Sequence, residues 1–585
     1  PWHINSIQFS LGLKTGIFFP WINEYIGIAK EILALSTPKL GFNNWRSDDP
    51  RLRANDVIIA GLNHDLMWCY HHLQPDLPRS LQYAASFFNQ EYPWKHLRHS
   101  QPEFYGISDV HALHHIAPAV FDSLKALGAW RGYERHVLGL EPILVSMSGR
   151  GIPINDGARR AFGDDLDTQQ TEIDLQLQSL IPDEVRSFRP KEGYKRPPAE
   201  VADVIEDSDA QPQLLLLPNH RQPAIKTVGE HEAREKHNLV LRSFPSGNGG
   251  SEQRWVRLLP FLAGSPKQVM EYARYRRHNL RDWSTSKLEL ERLAASTRDP
   301  VYKHILSYRS LDKLKGTYVD GWGPSNDGRV HSEFLYAPAT GQLSSRNPNA
   351  QNFPKKGPLA KQARRMIEAR PGHHLLSFDY NSFHALTLGF EARDALYMRI
   401  ARHDIHSFLT SHLVRQPVPV DIPDDDLADR LRWIRGRYPE IRDNKAKPTI
   451  LGYGFGMGWK KRYEMNRESF ESQAESKKIG DLLDGLFPQC AQYRTDIRDL
   501  ASRPPHYLTT RHGYIRWFFS VYRWDPKYNR WVPGEDSEAV IAYRPSNDAF
   551  GHKKDAMLEL ERQGWLDRAG LIDEIHDELL FECPD

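Results

Sequence analysis

Near its C-terminal end the chain reads LIDEIHDELLFE (571–582), with His576, Asp577 and Glu578 wedged between apolar runs. Acids so placed are costly to desolvate unless a cation or donor meets them. A strand–turn–strand would put Asp577 at the bend, while Asp573 and Glu574 read as solvated residues ahead of it. A second acid, Asp379, ends the apolar run Leu375 to Phe378, which reads as a buried strand. It opens into a pattern that sets Phe383, Leu386 and Phe390 on one helical face. An Asp there is a metal ligand or a helix cap. Brought opposite each other, Asp379 and Asp577 could hold two divalent ions about 3.5–4 Å apart, which align an attacking hydroxyl, a phosphorus and a leaving oxygen. In RDNKAKPTILGYGFGMG, Arg442, Lys445 and Lys447 precede four glycines. On one helix face such cations clamp a triphosphate; otherwise this is a plain amphipathic helix ended by glycines. The stretch 328–356 offers Thr340, Ser344, Asn349, Gln351 and Asn352, donors and acceptors for a sugar–phosphate backbone or the makings of a polar loop.

These groups need elements to position them. Residues 1–130 read as α/β: INSIQFSLGL and TGIFFPWI as a strand pair, NEYIGIAKEILAL as a helix, and DVIIAGLNHDLMWCYHHL as a strand running into a helix. Residues 131–185 and 265–318 have helical spacing. Residues 186–255, rich in Pro, Gly and charge, read as an irregular insertion. After 328 strands and helices mix. Apolar content of 40% predicts a globular fold, and no apolar run is long enough to span a membrane. Three scattered cysteines exclude a disulfide framework and a zinc ribbon and fit a reducing compartment. The net charge of +2 excludes nothing. Two local patches, 354–365 and 430–447, are strongly basic, the second with Trp433 and Tyr438 interleaved. Each is a solvated helix face or a surface for phosphates and stacked bases.

The four stretches, in this order, resemble the motifs of family A DNA polymerases, the bacterial DNA polymerase I type, and its phage branch most of all. GRVHSEF…ATGQLSSRNPNAQNFP is similar to the template–primer motif, FDYNSFHALTL to motif A, RDNKAKPTILGYGFGMG to motif B, IHDELLFE to motif C, and DKLKGTYVDGW to the end of the thumb. The resemblance runs from about 265 to the last residue. It implies an α/β (α+β) right-hand fold: thumb over 131–325 with the insertion around 186–255, palm over 326–400, fingers over 401–500 and palm again over 501–585. It implies templated DNA synthesis on primer–template DNA with dNTPs, as a monomer away from membranes, in the cytoplasm of a bacterial host, with phage or host replication proteins as partners. Asp379, Asp577 and the Tyr380 carbonyl would hold two Mg²⁺ ions, for which Mn²⁺ can substitute, with Glu578 in support. Lys447 would contact the triphosphate and protonate the leaving pyrophosphate, and His406 would touch the phosphates. His576 would lie on the primer side. Thr340, Gln342, Ser344, Arg346, Asn349, Gln351 and Asn352 would meet the DNA.

The chain departs from the family pattern in informative places. His384 stands where motif A has Glu, and Phe455 where motif B has its partner tyrosine, so acceptor and donor are lost together. A His–Phe contact filling the same wall would exclude ribose by shape. Leu451 replaces an aromatic residue near the sugar, which implies altered discrimination against dideoxynucleotides. The fingers arginine position holds Asp443, with Arg442 one residue off. Gln342 replaces a template-motif arginine, for which Arg346 could compensate.

Residues 1–130 resemble part of a ribonuclease H-like 3′–5′ proofreading exonuclease domain. Asn44 and Asp48 lie in NWRSD, Tyr105 and Asp109 in YGISD, and Asp65 in the helix between. These acids would bind further divalent ions in a complete site. The family's Asp-x-Glu motif is missing ahead of IQFSLG, and the chain opens on Pro1 and stops inside motif C, so a piece is expected to be missing at each end. The alternatives are a polymerase with a non-functional exonuclease remnant, a phage polymerase adapted to 2-aminoadenine, a non-catalytic DNA-binding remnant, and a nuclease acting through Asp48, Asp65 and Asp109.

Overall fold

Alternating apolar residues and capping side chains generate the expected mix of strands and helices in the computed structural model. It describes residues 3–12, 15–88, 93–186, 239–245, 251–353 and 359–585. Residues 187–238 of the predicted insertion, and 354–358 of the first basic patch, lie outside the described residues. Among the described residues no helix is long and apolar enough to cross a membrane. The chain forms two units, one of residues 1–154, 324–353 and 367–585, the other of 155–323 and 354–366.

The second unit is helical. The Asn155 side chain accepts from Ala158 N at 2.8 Å and starts the helix Asp156–Leu180, against which Pro300–Leu314 packs. Asp299 caps the latter through Val301 N and accepts from Tyr272 Oη at 2.8 Å. Leu177, Phe261, Val269, Leu290, Leu293 and Ile305 form its core. Two of its segments correct the sequence reading. Part of the insertion, Leu239–Pro245 and Ser251–Arg257, pairs as antiparallel strands. The unit also begins at 155 rather than 131, because Tyr133, Val137, Leu140 and Leu144 are buried in the core of the first unit.

In the first unit Ser6–Gly12 and Thr15–Pro20 pair antiparallel, and Asn23–Ala34 is the predicted helix. The next predicted unit, a strand running into a helix, is present with a short strand: Asn63–Asp65 pairs in parallel with Lys39–Gly41, and the chain runs straight into the helix Leu66–Leu73, every residue of which is buried. That helix and Pro102–Ala126 share one core with palm residues Phe334, Ile515, Met557, Leu571, Leu579 and Phe581. The N-terminal region is therefore packed into the palm rather than set apart from it. A second core, around Ile400, Phe408, Ile450, Tyr453, Phe487 and Ile541, joins the helices between 395 and 543.

The palm sheet is antiparallel in the order His373–Asp379, Glu578–Pro584, Leu571–Ile575. The first of these is an edge strand. Leu376 and Phe378 are 44% and 61% exposed, so the run predicted as buried is largely exposed among the described residues.

Candidate active site

The strands Leu571–Ile575 and Glu578–Pro584 close with Ile575 opposite Glu578, so His576 and Asp577 alone make the turn. His576 takes φ +58°, a left-handed conformation that non-glycine residues adopt at a cost of about 1–2 kcal/mol. Contacts on both sides hold it. Lys553 Nζ donates to the His576 carbonyl, and Gln342 Nε2 lies 2.7 Å from His576 Nδ1. On the neighbouring strand Asp379 pairs with Glu578, and Tyr380 N donates to the Asp577 carbonyl at 3.2 Å. Asp379, Asp577 and Glu578 thus gather at one end of the sheet. Oxygen donors from adjacent strands suit a hard divalent ion such as Mg²⁺. Ser377 Oγ donates to Glu578 Oε1 at 2.5 Å.

Behind the turn lies a charged network that the sequence reading missed. Asp573 and Glu574 are strand residues 1% and 0% exposed, not solvated acids. Lys553, from the helix Ser537–Arg562, forms a buried ion pair with Glu574. Gln351 Nε2 donates to Glu574 Oε2 at 2.6 Å and to its carbonyl at 3.0 Å. Gln351 is thereby committed to the interior, a correction to its placement against DNA. Burial pushes Asp573 up to about 8, with Glu578 adding to the rise, and pulls Lys553 down to about 7 against Asp577 and Asp573. The signal available in sequence was KK at 553–554, a lysine pair inside an otherwise amphipathic helix.

Other residues of the template motif are placed individually. The Thr340 carbonyl accepts from Asn547 Nδ2 at 3.0 Å. Ser344 and Arg346 lie on a short strand paired with Glu333–Leu335, and Arg346 is exposed and ion-paired to Glu333. Asn349 accepts from Ser345 Oγ at 3.3 Å, and Asn352 is exposed.

In the fingers region, the helix Ile405–Leu413 is capped by Asp404, which accepts from His406 N and Ser407 N at 3.0 and 3.1 Å. The same carboxylate takes Arg442 Nε at 2.9 Å, while Arg442 Nη1 reaches Asp443 at 2.6 Å. His406 lies beside this group. Burial first, then the Arg442 and Lys447 charges, hold it at about 4 against the pull of Asp404. His406, Arg442 and Lys447 therefore share one locality, with Lys447 exposed at the start of the helix Lys447–Gly454. Lys445 turns instead to Glu475.

His384 links the two regions. Its ring meets Phe455 edge-on at 5.8 Å and Phe550 at 5.3 Å. Burial lowers its pKa, with Asp577 opposing. Its Nδ1 is buried with no hydrogen-bond partner among the described residues. Leu451, on the helix Lys447–Gly454, and Phe455, just past its end, are 40% and 37% exposed.

The five N-terminal residues divide. Asp65 is fully buried and accepts from Asn43 N, Trp45 N and Met67 N at 2.8, 3.3 and 3.0 Å, so it is a structural cap and not an open ligand. Burial nevertheless raises it to about 7. Asn44 is 7% exposed and bonded to Asn63 Oδ1 at 2.9 Å. Asp48, Tyr105 and Asp109 do lie together. Burial, then Asp49, then Asp109 raise Asp48 to about 6, and Asp109 accepts from Trp94 Nε1 at 2.7 Å and bonds Tyr105. Elsewhere His136, His512 and Asp555 bring ligand atoms within 4.8 Å of one another, but Arg135 occupies the same Asp555 oxygen as His136.

Residues 252–585 match the sequence model of DNA polymerase family A. The chain is 27% identical over 337 residues to DNA polymerase I of Treponema pallidum, an alignment covering 55% of this chain and 31% of that protein. It is 29% identical over 315 residues to the thermostable DNA polymerase I of Thermus thermophilus, covering 52% and 34%. It thus spans about a third of the length of these curated relatives. Among solved structures, the POL domain of Pol1 from M. smegmatis, in complex with DNA primer-template and dNTP, superposes with a TM-score of 0.62 at 18% identity. That match covers 97% of this chain and 84% of the other, a likeness of fold.

Proposed function

The chain belongs to DNA polymerase family A, and from that membership we propose that it adds deoxynucleotides to a primer 3′-hydroxyl under the direction of a template strand. The observation that carries the reading is the two-residue turn presenting Asp577 beside Asp379, with His384 connecting it to the helix of Lys447. Asp379, Asp577 and the Tyr380 carbonyl would hold two Mg²⁺ ions, which when bound activate the attacking hydroxyl and offset charge on the pyrophosphate. The protein's own work is positioning. His406, kept neutral, can donate to a phosphate oxygen without adding charge. Arg442, braced by Asp404, holds its guanidinium toward the same locality. Lys447 is free to follow the triphosphate and to give a proton to the leaving group. Primer extension with Asp577→Asn tests this. A fall of roughly 10³-fold or more in rate is expected, and extension near the parental rate would overturn the mechanism.

For the N-terminal region the reading is a non-functional exonuclease remnant. It is supported by the burial of Asp65 against three backbone N–H groups, which withdraws that carboxylate from Asp48 and Asp109. Release of mispaired 3′ nucleotides that disappears in Asp109→Ala would overturn it. Phage origin and adaptation to 2-aminoadenine rest on the motif departures alone. Incorporation opposite T with dATP and 2-aminoadenine triphosphate in competition tests the latter.

A further inference from the structure

Between the palm strand Ile515–Trp517 and the helix Ser537–Arg562 the chain makes a protruding hairpin, Tyr522–Asp525 paired with Arg530–Pro533. Its base is rigid. Asp536 Oδ2 accepts from Phe519 N and Ser520 N at 2.9 and 2.8 Å, and a side chain at Gly534 would collide with the Ser520 carbonyl at 2.2 Å. Its surface is aromatic and open. Phe519 is 77% exposed, Trp531 66%, Tyr528 59% and Trp524 45%. Trp524 and Trp531 meet edge to face across the strands at 5.6 Å, and Phe519 stacks parallel to Trp517. A cavity of about 500 Å³ opens beside them, walled by His506, Phe519, Tyr522 and Trp531.

Packing does not account for this patch, because aromatic rings contribute to stability only when covered. Its charge identifies what covers it. Arg523, Lys527 and Arg530 form no ion pair among the described residues. Lys527 and Arg530 lie over the Tyr528 ring at 5.3 and 5.4 Å. Asp525, the one acid of the hairpin, is turned to Lys527 N. Open rings interleaved with unpaired cations suit a strand whose bases stack and whose phosphates are anionic. We propose that this hairpin is a binding platform for single-stranded nucleic acid, separate from the nucleotidyl-transfer site. From Asp536 to Lys553, at the catalytic turn, the helix rises about 25 Å. That equals roughly seven stacked nucleotides at about 3.4 Å each, so the natural occupant is the unpaired template ahead of the primer end.

The platform is tested on the full chain by fluorescence anisotropy with labelled oligothymidylate. Trp524→Ala/Trp531→Ala should weaken binding roughly tenfold or more, whereas Trp524→Phe/Trp531→Phe, which keeps both rings, should restore it. Lys527→Gln/Arg530→Gln should flatten the log–log salt dependence by about 1.4. On primer–templates, the gain in affinity from extending a short overhang beyond roughly seven nucleotides should vanish in the alanine pair. Affinities within twofold of the parent, or a patch that binds only protein, would overturn the proposal. If the polymerase reading alone fails, the parent will bind oligothymidylate yet extend no primer.

Discussion

His384 shows how much one residue can decide. Its ring fills the wall beside Phe455 and Phe550, where a carboxylate would meet only apolar edges. On the proposed function, exclusion of a 2′-hydroxyl would then depend on volume. His384→Ala should raise ribonucleotide incorporation relative to deoxynucleotide roughly tenfold or more, read as the ratio of kcat/KM values in single-nucleotide extension. Lys553 makes the complementary point about buried charge. Lys553→Met would strand Glu574 and Asp573 in the interior and should destabilise by about 3–5 kcal/mol, seen as an earlier thermal transition. Lys553→Met/Glu574→Met removes the pair together and should recover most of that loss. If the single variant melts with the parent, the ion pair has no stabilising part behind the turn.

At the scale of elements, the helix Leu66–Leu73 ties the N-terminal region to the palm through two histidines. His71 Nε2 meets the Ala337 carbonyl at 2.9 Å and His72 Nε2 meets that of Gly513 at 2.8 Å. Burial holds them at about 4 and about 3, below the ordinary 6.5. The unfolded chain therefore binds more protons than the folded one between pH 6.5 and these values. Their contribution is complete above about 6.5 and is lost as the pH falls toward 4. His72→Gln, which keeps a donor but does not titrate, should flatten the decline of melting temperature over that window; an unchanged slope would contradict the assignment.

For the whole molecule, the shared core predicts that the N-terminal region cannot be dispensed with. Removing residues 1–130 would take Leu66, Trp68, Tyr70, Leu113 and Ile116 out of the core that also holds Phe334, Ile515, Met557, Leu571 and Phe581. The remaining chain should lose its near-ultraviolet circular dichroism and its cooperative thermal transition. A truncated protein that melts as the parent does would show that the two parts are independent.

The motif residues and their order were legible in the sequence because the proposed nucleotidyl transfer needs particular acids and cations, and those needs are local. Asp379 at a strand end and Asp577 at a bend between strands follow from patterns of a few residues. Only tertiary packing decided the rest. Asp573, Glu574 and Gln351 look like surface groups in the sequence, yet all three are interior, where Glu574 is met by Lys553 from a helix about twenty residues earlier and by Gln351. Asp65 reads as a ligand but is consumed by three backbone donors, two of them, Asn43 N and Trp45 N, from a segment some twenty residues earlier. The exposure of Leu376 and Phe378 depends on what packs against their face of the sheet, which no local pattern encodes. In each case a group's charge and hydrogen-bonding capacity are intrinsic to the residue, while the partner that uses them is set by chain crossings distant in sequence.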